Sequence, residues 1–217
     1  MDESMPSKKE ALSQFHQQRI LASARELFAK RGEAGVSMDD IAADADYSKS
    51  TIYVYFANKE DILGHLVLED MRSIRDGIER CLVENKGLER RYFAICELLT
   101  DLSKKDPEFL GRVLSNISVD EADFLRLPVL KTIYETGEQT NGLIERLFTE
   151  AVQQGEAKET LLPVQAGLVF WSSICSLIAF SANKEGYLQK NFAMTQDAFL
   201  HYGFELLLDA VRKGEAR

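Results

Sequence analysis

Apolar residues recur three and four positions apart along nearly the whole chain, and no sustained two-residue alternation bounded by turn residues appears. That period belongs to the α-helix, whose side chains return to one face about every 3.6 residues, so the sequence predicts an all-α fold. Ile20, Leu21, Ala24, Leu27 and Phe28 form one such stripe, closed by Gly32 and Gly35 so that the first helix ends near Arg31. Ser37-Met-Asp-Asp40 has the form of a capping box and opens a second helix that carries Ile41, Ala42 and Ala45 inward. Asp46 and Tyr47 stop it, and Ser48 caps a short third helix over 49–56 that turns Ile52 and Phe56 to the core. Asn58 caps a fourth helix that runs to Glu84, with Glu60 and Asp61 in its first turn, where the helix dipole favours acids.

Beyond Gly87 the helices read as longer and more apolar, over 88–104, 107–118, 128–154, 163–182 and 192–213. Pro107, Pro128 and Pro163 fit first-turn positions, where the missing N–H costs nothing. A three-helix helix-turn-helix head followed by a larger helical body, about nine helices in all, is therefore expected. The polar start suggests a flexible tail over 1–14, the composition changes across 60–87, and the division read is 15–62 for the head and 63–217 for the body.

Composition excludes some classes. No signal peptide and no stretch of eighteen uncharged apolar residues is readable, so a cytoplasmic chain without a membrane partner is expected. Cys81, Cys96 and Cys175 are odd in number, widely spaced and set in apolar helical patterns, which reads as reduced, buried thiols rather than a redox sensor. His16, His65 and His201 are scattered, and no phosphate-binding, dinucleotide or zinc-protease pattern occurs, so no catalytic residue, metal or cofactor is expected. His65 and Glu69 lie four apart on one helix, and a solvated pair is the better reading than a metal site.

The net charge of −9 opposes a nucleic-acid partner unless basic residues are concentrated locally. Residues 1–60 hold eight basic against ten acidic side chains, and between Tyr47 and Lys59 there are two lysines and no acid. In a helix-turn-helix the start of the second helix enters the major groove while the preceding helix crosses the backbone. Lys49, Ser50 and Thr51 then stand where base edges are reached, and Tyr53, Tyr55 and Lys59 suit phosphate and sugar. Ser37 and Asn58 begin helices whose free N–H groups attract anions.

The segments ARELFAKRG (24–32) and SMDDIAADADYSKSTIYVYFANKEDIL (37–63), in that order and spacing, resemble the tetracycline-repressor (TetR) family of regulators over about residues 15–65. Asp46 stands where the family usually has Gly, a residue tolerant of a left-handed backbone. Ser50 fills a position that is often Gly. The resemblance implies that Lys49, Thr51, Tyr53 and Lys59 touch double-stranded operator DNA. It also implies a homodimer joined through the last two helices, and a small-molecule effector of unknown identity bound among the middle ones.

For the body no motif exists. Residues 163–182 are apolar nearly all round, which implies burial on every face, one side meeting a partner together with Phe199, Tyr202, Leu206 and Val211. Phe93, Cys96, Phe109, Phe124, Tyr134, Phe170 and Trp171 are the candidate lining of an effector pocket, and this aromatic supply favours a hydrophobic or aromatic effector. Ligand-released repression of transcription is the function expected. The rivals are an enzyme and a helical interaction module that keeps the head without using it on DNA.

Overall fold

The computed structural model describes residues 7–115 and 117–214. Eleven α-helices follow one another: α1 (Lys8–Arg31), α2 (Met38–Asp44), α3 (Lys49–Tyr55), α4 (Lys59–Glu84), α5 (Leu88–Lys105), α6 (Phe109–Val113), α7 (Glu121–Arg126), α8 (Pro128–Gln153), α9 (Pro163–Asn183), α10 (Glu185–Phe192) and α11 (Gln196–Val211). Nine of them have seven or more residues. Among the described residues extended pairing is limited to one antiparallel bridge, Ala157 with Arg212. The all-α expectation holds.

The chain divides into two compact units. The first joins residues up to Glu69 with Ser118–Ile133, and the second comprises Asp70–Ile117 and Tyr134–Arg217. This differs from the sequence division at residue 62, because a segment read as body belongs with the head.

In the first unit, Ile20, Leu21, Ala24 and Leu27 of α1 pack with Val36, Ile41, Ala42, Ala45, Ile52, Phe56, Ile62 and Leu66 into one buried core. Residues 7–14, expected in a flexible tail, are instead the first turns of α1; residues 1–6 of that expectation lie outside the described ones. The reason is a capping box that the sequence reading passed over. The Ser7 hydroxyl accepts from Glu10 N–H and the Glu10 carboxylate accepts from Ser7 N–H at 2.8 Å. The second such box stands where expected, at Ser37 and Asp40. Asp46 adopts φ +60°, a left-handed conformation in the turn between α2 and α3. Arg19 braces this turn by donating to the Ala45 carbonyl at 3.0 Å while its guanidinium lies over the Tyr47 ring.

The second unit is built on α5, α9 and α11. Tyr92 is buried and donates to the Phe204 carbonyl at 2.9 Å, and its ring meets Phe170 edge-on, which in turn meets Phe148. At Gly203 a β-carbon would lie 2.9 Å from Leu177, so the missing side chain is what lets α11 approach α9. Arg112 of α6 donates to Asp70 at 2.7 Å and also pairs with Asp106. Burial pushes the Cys96 and Cys175 thiols up to about 12, and Cys81, half-buried, is raised in the same direction. All three are free thiols.

Several boundaries moved for local reasons. The helix expected over 107–118 shrinks to α6: before it the Asp106 side chain accepts from Glu108 N–H, and beyond it the Ser115 hydroxyl donates to the Arg112 carbonyl. α7 has no counterpart among the expected helices, although Asp120 caps it by accepting from Ala122 N–H. The last helix starts at Gln196, capped by Thr195, after the left-handed Ala193 closes the separate α10. α9 is long and apolar enough to cross a membrane, with mean hydropathy 1.6 over its best window, but Phe170, Ile174, Cys175 and Ile178 are buried within the second unit.

Candidate nucleic-acid interface

α2 and α3 present the head's outward face. Ser48 caps α3 by accepting from Thr51 N–H at 3.1 Å, and its hydroxyl also meets those of Ser50 at 2.8 Å and Thr51 at 2.7 Å. Ile52 is fully buried, so its neighbours are forced outward: Lys49, Ser50 and Tyr53 are exposed, and Val54 is 77% exposed. Val54 was not among the expected contacts, yet its place one residue after Tyr53 on a helix anchored by Ile52 could have revealed it.

The two lysines are less free than their sequence implies. Lys49 Nζ lies 2.7 Å and 3.0 Å from the two carboxylate oxygens of Asp39 on α2, which raises the affinity of the ammonium for its proton. Lys59 Nζ donates to the carbonyls of Glu33 at 2.8 Å and Val36 at 3.2 Å, tying the start of α4 to the loop before α2. The positive charge expected for the stretch from Tyr47 to Lys59 is therefore largely engaged inside the head.

Two further expectations change. Tyr55 is half-buried against the head core, its ring 5.7 Å from His16, so it is a packing residue more than a solvent-facing one. At the start of α4, Asn58 Oδ1 caps Asp61 N–H at 2.9 Å as expected, but Asp61 Oδ2 itself accepts from Ala57 N–H. A carboxylate of the chain already occupies part of that anion site. Ser37 is exposed and its hydroxyl donates to Asp40 at 2.5 Å, while Asp40 is held down to about 2 by the Ser37 hydroxyl and N–H, with Arg31 beside it.

The model of the bacterial regulatory proteins of the tetR family matches residues 20–66, the segment that contains every one of these elements from the buried half of α1 to the start of α4. Over residues 20–66 the chain matches the tetR family of bacterial regulatory proteins. The fatty acid metabolism regulator protein of Bacillus subtilis (strain 168) is 26% identical over 143 residues, 66% of this chain and 71% of its own length. The HTH-type transcriptional regulator LuxR of Vibrio harveyi is 26% identical over 172 residues, 77% and 78% of the two chains. The crystal structure of FadR from Bacillus subtilis in complex with stearoyl-CoA shares the fold, with a TM-score of 0.68 at 23% identity, covering 88% of this chain and 97% of that one.

In the second unit, the seven aromatic and thiol residues expected around a pocket do not form one lining. Phe93 and Cys96 do line a groove of about 360 Å³ between α5 and α11, with Leu200, His201 and Phe204. Phe109 and Phe170 are buried core, Trp171 is half-buried, Tyr134 is exposed, and Phe124 belongs to the first unit. A larger groove of about 610 Å³ lies beside α5, α6, α9 and the start of α11, with Leu110, Leu114, Ile178 and Ala179 as its apolar part and Lys104, Asn183 and Gln196 as its polar part. Helix lengths alone gave no hint of it.

Among the expected interface residues, Tyr202 is 67% and Leu206 58% exposed, and Phe199 is half-buried beside Phe180. Val211 is a correction: it is buried in its own unit, and its carbonyl accepts from Lys158 N–H at 3.0 Å. His65 bonds Asp61 and Glu69 pairs with Arg25, and no metal-holding cluster of acids, histidines and cysteines occurs among the described residues.

Proposed function

We propose that the protein is a homodimeric, cytoplasmic repressor of transcription that leaves its operator when a small molecule with an apolar body binds the second unit. The single observation that carries this is the head itself, in which the left-handed Asp46 turn presents the exposed Ser50, Tyr53 and Val54 of α3 beyond a buried Ile52. Lys49, Thr51, Tyr53 and Lys59 contact DNA, with Ser37, Ser50 and Asn58 beside them; Tyr55 supports the head. Catalysis is not part of the reading, and the named relatives are regulators.

The exposed residues of α9 and α11 favour the dimer. Leu168, Ser172, Ser176 and Phe180 follow one another at four-residue steps on one exposed stripe of α9, and Ala198, Tyr202 and Leu206 do so on α11. A pairing of these stripes about a two-fold axis brings two reading helices to half-sites one DNA turn, roughly 34 Å, apart. The groove of about 610 Å³ has a volume ordinary for ligand sites, and the fatty-acid regulators among the relatives favour an acyl chain as its occupant. An effector that prefers one arrangement of the heads shifts the population away from the DNA-bound one.

The experiment is a mobility shift with genomic fragments selected by the protein, at two salt concentrations and against random duplex. Specific complexes that weaken with salt, weaken further for Tyr53→Ala, and dissociate on addition of a long-chain acyl-CoA are expected. Binding no tighter than to random duplex would overturn the reading.

A further inference from the structure

Asp39 is an acid on the face that meets DNA, and the fold does not need it. The capping box of α2 uses Asp40, not Asp39, and the helix dipole already has Asp40 in the same turn. Asp39 is 65% exposed, its Lys49 partner 57%, and an exposed pair of this kind adds little to stability. Against phosphate alone the arrangement is unfavourable. Lys49 can donate to a phosphate while keeping its carboxylate, but that carboxylate then lies beside the polyanion with no donor on the DNA to meet it.

A base-pair edge relieves the conflict, and a G·C edge does so best. The major-groove edge of a G·C pair sets guanine acceptors, O6 and N7, directly beside the N4 amine donor of cytosine. Lys49 and Asp39 set a donor directly beside an acceptor, with Nζ and the two carboxylate oxygens 2.7 Å and 3.0 Å apart. Placed against that edge, the ammonium meets guanine and the carboxylate meets the cytosine amine, each without leaving the other. An A·T pair offers the carboxylate the adenine N6 amine and the cation one acceptor on either side of it, adenine N7 or thymine O4, whereas a G·C pair offers the cation the two adjacent guanine acceptors.

We propose that the Asp39–Lys49 pair reads one G·C base pair in each half-site, Asp39 accepting from cytosine N4 and Lys49 donating to guanine, so that Asp39 is a specificity-determining residue of the head. The proposal rests on the operator-binding reading above and deepens it. Asp39 lowers binding to non-cognate DNA and Lys49 supplies affinity at the cognate one.

The test uses the full chain and a selected operator with every position of one half-site substituted in turn, binding being followed by fluorescence anisotropy. The wild type is expected to lose about tenfold or more in affinity when one particular G·C pair is changed. Asp39→Ala is expected to lose that preference while binding random duplex more tightly, and Lys49→Met to lose the same preference while binding everything more weakly. Circular dichroism of both variants checks that the head stays folded, which the intact Ser37–Asp40 box predicts. If Asp39→Ala raises affinity equally for all sequences and keeps the preference, the base-reading role is overturned and Asp39 is a repulsive charge only. A wild type that binds no operator overturns instead the function on which the proposal rests.

Discussion

Val129 leaves no room for a side chain at Gly64: a β-carbon there would lie 2.6 Å from Val129 Cγ1. Both residues belong to the first unit, and the same helix α4 is gripped one turn earlier by Arg126, whose two terminal nitrogens donate to the two carboxylate oxygens of Glu60 at 2.7 Å and 2.9 Å. The segment 118–133 is thus keyed to the start of α4, immediately after α3. Gly64→Ala is expected to destabilise the head by about 1–3 kcal/mol, because a β-branched neighbour cannot rotate out of the way. Adding Val129→Ala should restore part of the loss. Thermal denaturation of the two single variants and the double one checks this, and strict additivity would contradict the contact.

Asp40 gives the head a defined response to acid. Its carboxyl is held at about 2 by Ser37, against ~3.9 for an unfolded Asp. A depressed folded value contributes stability that is complete above the unfolded value and is lost as pH falls from ~3.9 through about 2. Asp40→Asn should therefore differ most from the parent at neutral pH and converge with it near the acid end. Denaturant titrations at a series of pH values measure the gap, and a gap independent of pH would be inconsistent with the capping role.

At Asp46 the backbone conformation sets the expectation. With φ at +60°, Asp46→Gly should leave stability unchanged or slightly raised, and Asp46→Val should cost about 1–2 kcal/mol. The substituted turn should also disturb α3, so operator affinity should fall for the valine variant and not for the glycine one. Equal affinities for both would show that the turn does not control the placement of α3.

Leu206 and Tyr202 test the dimer. Leu206→Glu places a carboxylate in the proposed interface without touching the protomer core, since the side chain is 58% exposed. A loss of about 3–5 kcal/mol of association free energy is expected for an unpaired buried charge, enough to yield monomers at micromolar concentration. Sedimentation velocity reads the mass directly. A dimer unaffected by Leu206→Glu and Tyr202→Glu together would place the interface elsewhere.

Much of the fold was legible because its signals are local. Ser37 with Asp40, Ser48 with Thr51 and Asn58 with Asp61 each close over three residues, and the ends of α1 and α4 at Arg31 and Glu84 fall where the pattern stops. The same logic was available at Ser7 and Glu10 and at Asp120 and Ala122, where the polar composition obscured it. In the candidate site the outward residues of α3 were legible for this reason, once Ile52 was assigned to the core. The occupation of the lysines was not. Lys49 meets Asp39 ten residues away on another helix, and Lys59 meets carbonyls more than twenty residues away, so neither pairing has a sequence period.

By itself the sequence determined the helical class, the caps and the left-handed tolerance of Asp46, because those depend on backbone groups within one turn of the residue concerned. Only the tertiary structure decided that 118–133 joins the head, that Val211 is interior while Tyr202 and Leu206 are not, and that Lys49 shares its charge with Asp39. Those outcomes are set by which helix faces come into van der Waals and ionic contact, and contact between distant segments is fixed by packing of the whole core rather than by any stretch of chain.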